Sequence, residues 1–130
     1  IAAACTSLAG SSDWFDRGVV SYSSEAKTDL LGVPAALIER HGAVSAEVAQ
    51  SMAEGMLQRS LAELAVAVIG IAGPSGGTPD KPVGTVWLAL AWHNMATETQ
   101  LLQLHGDRAA VRQQTVEAAL RALNAVLAAH

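Results

Sequence analysis

The chain predicts an α/β domain of three layers, with helices on both sides of a mixed, mostly parallel sheet. Residues 64–71, LAVAVIGI, form a continuous apolar run without alternation, the pattern of a strand covered on both faces. Helical periodicity appears on either side of it, with Val48, Met52 and Met56 on one stripe and Val111, Ala119 and Leu123 on another. Hydrophobic residues make up 51% of the chain and charged residues 15%, which favours a packed core over disorder.

The 130 residues make a single domain, residues 1–130, large enough to bury about two-thirds of the unfolded surface. IAAAC at residues 1–5 reads as the end of a helix whose start lies upstream. The expectation is therefore that an N-terminal strand is missing from the chain. Gly10 serves as the C′ residue of this helix, and Ser11 and Ser12 make a polar turn. Residues 15–22 carry the β-branched and aromatic content of a strand. The helix that follows is capped by Ser23 or Ser24, with Glu25 in its first turn, and ends at Gly32. Pro34 at the first helical position opens a short helix closed by His41 and Gly42. Ser45 caps the methionine-striped helix, which ends at Arg59 and Ser60. After the apolar strand comes a glycine- and proline-rich loop, then a strand at residues 84–93. Its Val86, Leu88, Leu90 and Trp92 share one face, and Trp87, Ala89 and Ala91 the other. Residues 97–104 alternate as an edge strand in a hairpin. Asp107 caps a last helix running to about residue 128, with Val111, Val116, Ala119, Leu120, Leu123 and Val126 or Leu127 inward.

The net charge of −4 gives no reason to expect nucleic acid or an anionic membrane surface as a partner. No apolar run reaches membrane-spanning length, and no signal peptide is visible. The single cysteine, Cys5, rules out an internal disulfide and fits a reducing cytoplasm.

Lys27 is the first candidate for chemistry. It sits about one turn into a helix, near the positive end of the dipole, where a cation gains nothing. Its amine is placed to meet an anion or to lose a proton, unless it simply points to water. The loop after the apolar strand lies where open α/β sheets bind ligands, and Gly76, Gly77 and Thr78 would let backbone N–H groups approach a phosphate. It lacks the GxxxxGK[ST] pattern of a Walker loop. Ser11 and Ser12 are further candidate anion ligands, or satisfy only their own turn. Arg108 and Arg112, one turn apart at the start of the last helix, would be rationalised by a bound anion or by pairing with Asp107. His41 reads as a general base or as a cation complementing a helix end.

Six segments in order carry a resemblance. They are Gly10-Ser11-Ser12-Asp13-Trp14-Phe15, Tyr22-Ser23-Ser24-Glu25-Ala26-Lys27, His41-Gly42-Ala43-Val44-Ser45, Gly70-Ile71-Ala72-Gly73-Pro74, Lys81-Pro82-Val83-Gly84-Thr85-Val86 and Gly106-Asp107-Arg108. Together they resemble the CinA C-terminal domain family, the nicotinamide mononucleotide deamidases. The resemblance covers essentially the whole chain. It implies a three-layer α/β/α fold, commonly a homo-oligomer, without metal or organic cofactor. The implied reaction hydrolyses the carboxamide of nicotinamide mononucleotide to nicotinic acid mononucleotide and ammonia. The lysine of the family's YSNEAK motif, Lys27 here, is implied as catalytic, and Tyr22 would hydrogen-bond into the same site. Substrate would be held by Ser11, Ser12, Ser24, Gly73, Gly76, Gly77, Thr78 and Arg108.

Three departures stand beside the resemblance. The family's ESCTGG segment, source of the hydroxyl nucleophile, has no counterpart in residues 1–130, and Cys5 is not its cysteine because no Thr-Gly-Gly follows. Ser24 replaces the asparagine of YSNEAK, and Ile69 stands where a threonine or serine usually precedes Gly-Ile-Ala-Gly-Pro. The alternative reading is accordingly a nucleotide-binding or regulatory domain that keeps the fold without turnover, or a scaffold module of a two-domain protein.

Overall fold

A computed structural model describes residues 1–129. In chain order the elements are α1 (Ala2–Thr6), a 3₁₀ turn (Ser11–Asp13), α2 (Ser24–Leu31), α3 (Ala35–His41), α4 (Ala46–Gln58), β1 (Leu64–Gly70), β2 (Thr85–Trp92), β3 (Glu98–Gln103) and α5 (Arg108–Ala129). Three helix starts are fixed by side chains accepting otherwise orphaned N–H groups. Ser23 accepts from Ala26 at 3.0 Å, Ser45 from Val48 at 3.3 Å, and Asp107 from Ala110 at 2.9 Å.

The sheet runs β1–β2–β3, antiparallel throughout, with Leu64 opposite Trp92 and Leu90 opposite Glu98. Its two faces differ in side-chain size. Ala65, Ala67, Ala89 and Ala91 face α4, where Val48, Ala49, Met52, Ala53 and Leu57 fill the space above them. Leu88 and Leu90, with Val66 and Val68 of β1, face α5 and meet Ala119, Ala122, Leu123 and Val126. Small residues on one layer thus receive large ones from the next, on both sides of the sheet. The three-layer arrangement follows directly.

The mostly parallel sheet is corrected. Parallel neighbours need a crossover, usually helical, and residues 71–84 between β1 and β2 contain none, so β2 returns antiparallel. The apolar run of β1 reported coverage on both faces, which α4 and α5 supply equally well to an antiparallel sheet. Residues 15–22 are not a strand: they join no sheet among the described residues. Strand-forming composition stabilises a ladder only where a partner strand exists. Side chains tie the beginning of this stretch instead, with Asp16 accepting from the Leu61 N–H at 3.1 Å and Arg17 donating to the Arg59 carbonyl at 2.8 Å. Two turn assignments also change. Pro34 is the N-cap of α3 rather than its first residue, and Gly10, at φ 85°, precedes the 3₁₀ turn rather than closing α1, whose C-cap is Ser7. On α5, Val126 packs inward and Leu127 is exposed.

Gly55 lets α4 press against the end of α2. A Cβ added there would overlap the Leu31 carbonyl oxygen, a backbone atom that cannot swing aside. Gly55→Ala is therefore expected to lower unfolding free energy by about 1–3 kcal/mol through overpacking, read from urea denaturation.

Candidate functional site

A helical side chain leans back toward the helix N-terminus. From the first turn of α2, that lean carries the Lys27 amine over the chain that enters the helix. Nζ donates to the carbonyls of Ser21 and Tyr22 at 3.0 Å each and of Ser23 at 3.4 Å, and the residue is only 5% exposed. An ammonium has three N–H donors, and three carbonyls meet them. No carboxylate ion-pairs with it among the described residues. Burial pushes its pKa below the ordinary 10.5, and the Glu25 carboxylate opposes that shift. Lys27 does not point to water.

Tyr22 contributes its carbonyl, not its ring: the residue is 82% exposed and its hydroxyl makes no hydrogen bond among the described residues. Ser24 is the exposed first residue of α2, because Ser23 takes the capping role. Ser11 and Ser12 lie in the 3₁₀ turn with hydroxyls that bond nothing among the described residues.

The glycine loop forms a second cluster. Arg108 Nη1 donates to the Gly73 carbonyl at 2.9 Å, so these two expected site residues are brought together. Thr78 Oγ1 accepts from the Lys81 N–H at 3.0 Å, which uses the threonine to close its own turn. Gly76 and Gly77 are exposed, and their N–H groups donate to no described group. Arg108 does not pair with Asp107, which caps α5. Among the described residues, no hydrogen bond joins the Lys27 cluster to the Arg108 cluster. His41 forms a 3.7 Å pair from Nδ1 to Glu47, and its carbonyl accepts from Lys81 Nζ at 3.2 Å.

Sequence reasoning missed the Ser21 and Ser23 carbonyls and the anchoring role of Lys81. The first had a readable signal: a lysine four residues after a capping serine reaches back over the helix entry. Lys81 had none, since its partner lies 40 residues away. Two shallow grooves of about 480 Å³ run along α4, lined in common by Gln50, Glu54 and Gln58, and neither includes Lys27 or Arg108. No group of three or more His, Cys, Asp or Glu side chains among the described residues is arranged to hold a metal ion. No described helix is long and apolar enough to cross a membrane.

The profile of the CinA C-terminal domain matches residues 1–127. The chain belongs to the CinA C-terminal domain family. It is 52% identical over 127 residues to a CinA-like protein of Mycolicibacterium vanbaalenii, covering 98% of this chain and 30% of that protein. It is 53% identical over 114 residues to the nicotinamide-nucleotide amidohydrolase PncC of Enterobacter agglomerans, covering 88% of this chain and 70% of that protein. The fold superposes on a CinA superfamily protein of Klebsiella pneumoniae with TM-score 0.93 at 40% identity, over 99% of this chain and 80% of that one. A competence/damage-inducible protein of Agrobacterium tumefaciens gives TM-score 0.92 at 46% identity, over 95% and 76%. This CinA domain thus spans about a third of the length of the CinA-like relatives it matches.

The burial of Lys27 has a consequence for stability. Replacing it with methionine leaves three carbonyls without their donor, and Lys27→Met is expected to cost about 1–3 kcal/mol. The pH dependence has a defined sign. The folded-state pKa lies below the unfolded 10.5, so within that window the unfolded chain binds more protons and the folded state gains stability as pH rises. Urea titrations of both proteins from neutral pH to about 10.5 should show the wild type gaining on Lys27→Met toward the alkaline end.

Proposed function

We propose that this CinA domain takes part in hydrolysis of the carboxamide of nicotinamide mononucleotide, giving nicotinic acid mononucleotide and ammonia. The observation that carries the reading is the buried Lys27 amine, held by carbonyl oxygens, free of any carboxylate and shifted toward its neutral form. The named activity of the PncC relative supports it. A hydroxyl attacks the carboxamide carbon while Lys27 accepts its proton and returns it to the departing nitrogen, so that ammonia leaves and an acyl ester remains. Water, giving its proton to Lys27, then breaks the ester, releasing the acid as the hydroxyl regains the proton. For Lys27 to accept, its Nζ must leave one carbonyl and present a lone pair, which the lowered pKa favours. The tetrahedral oxyanion needs hydrogen-bond donors placed where its charge develops. The mononucleotide phosphate is held by the free N–H groups of Gly76 and Gly77 with Arg108, whose Nε and Nη2 have no partner among the described residues. The functional form is a homo-oligomer.

A second reading is a domain that binds the nucleotide without turning it over. Ile69 favours it, because this residue packs against the α4-side core and offers no hydroxyl at the end of β1. Ammonia release decides between them. The complete natural protein is expected to release ammonia from nicotinamide mononucleotide, and Lys27→Met to lower kcat by at least about 100-fold, the scale of a lost acid–base group. Ligand-induced thermal stabilisation with no ammonia would establish the binding domain instead.

Arg108→Ala is expected to raise KM about tenfold for the mononucleotide while leaving KM for nicotinamide riboside unchanged, as the loss of a phosphate contact would. Equal effects on both substrates would remove Arg108 from the phosphate site.

A further inference from the structure

Residues 71–84, between β1 and β2, carry no helix or strand, yet two cationic side chains tie this loop to other elements, one near each end. Arg108, at the start of α5, donates to the Gly73 carbonyl at 2.9 Å. Lys81 reaches out of the loop and donates from Nζ to the His41 carbonyl at 3.2 Å. Five side-chain hydrogen bonds among the described residues span more than thirty positions, and two of the five secure this loop.

The Lys81 contact is built from both sides. His41 is the last residue of α3, so its carbonyl is among those a helix end leaves unpaired, at the negative pole of the dipole. Gly42 follows at φ 81°, and a Cβ there would stand 3.0 Å from Nζ, so the glycine leaves room for the ammonium. Within the loop, Thr78 donates its N–H to the Lys81 carbonyl at 2.9 Å and its hydroxyl accepts from the Lys81 N–H at 3.0 Å. Residues 78–81 therefore form a closed turn, pinned to α3 by one ammonium. Between this pin and the Arg108 clamp lie Ser75, Gly76 and Gly77, exposed, with backbone N–H groups that donate to no described group.

We propose that Lys81 is a positioning residue that anchors the glycine loop to the end of α3, so that the 75–77 amides are already in place for the phosphate of a mononucleotide. This rests on the reading of the loop as the phosphate site. A loop free at one end would lose its conformational freedom on binding, at a cost in affinity. Anchoring it beforehand removes that cost and leaves the chemical step untouched.

The test compares wild type, Lys81→Met and Lys81→Arg in the complete natural protein, by backbone amide hydrogen exchange and by titration and turnover of nicotinamide mononucleotide. Methionine keeps the aliphatic stem and removes the donor; arginine restores a donor. In Lys81→Met the amides of Thr78 and residue 81 should exchange about tenfold faster, the factor for a lost charge-assisted hydrogen bond, with β1 and β2 unchanged. Kd and KM for the mononucleotide should rise together while kcat holds, and Lys81→Arg should recover both the protection and the affinity. Unchanged exchange at those two amides overturns the anchor, as does faster exchange spread into β1 and β2. A loosened loop with unchanged Kd overturns the positioning role. A loosened loop in a protein whose wild type binds no mononucleotide keeps the anchor and removes the phosphate assignment.

Discussion

The contact on which the other parts depend is the fit of β2 between two helices of opposite character. Its alanines, Ala89 and Ala91, give α4 room to lie close with its valine, methionine and leucine side chains. Its leucines, Leu88 and Leu90, reach up toward the alanines and leucine of α5. Exchanging the faces would leave a void on one side and an overlap on the other. With both helices fixed against β2, the neighbouring ends are fixed too. The loop leaving β1 and the first residue of α5 come together, and Arg108 meets Gly73.

Four of the eight lysines and arginines share a mode of attachment. Lys27, Lys81, Arg108 and Arg17 all donate to backbone carbonyls, and only two ion pairs occur among the described residues, Asp16 with Arg17 and His41 with Glu47. A carbonyl is a dipole: it orients a cation without cancelling its charge. The phosphate site proposed for the glycine loop would keep its local positive potential this way, in a protein of net charge −4. In Lys27 the same arrangement opposes burial, which favours the neutral amine, with three acceptors that suit the ammonium.

Much of the architecture was legible in local pattern. The caps at Ser45 and Asp107, the stripes of α4 and α5, and the β2–β3 hairpin depend on residues close in sequence, and each stands where the spacing put it. The strand expected at 15–22 failed for the opposite reason, since a strand is completed by a distant partner and not by its own composition. The parallel sheet failed because an apolar run reports coverage of its faces and is silent on the direction of its neighbour. Within the candidate site, the position of Lys27 near a helix start was legible. Its burial and three carbonyl partners were not, nor was the link from Lys81 to His41.

By itself, then, the amino-acid order determined the helices, the hairpin and the family, and it singled out Lys27 by its place at a helix start. Each is set by periodicity, capping chemistry or an ordered motif, all of which act over a few residues. Tertiary structure alone decided the antiparallel direction of the sheet, the absence of pairing at 15–22, and which carbonyls receive Lys27, Lys81 and Arg108. Those outcomes turn on which distant surfaces meet, and that is settled by the packing of large side chains against small ones across the sheet.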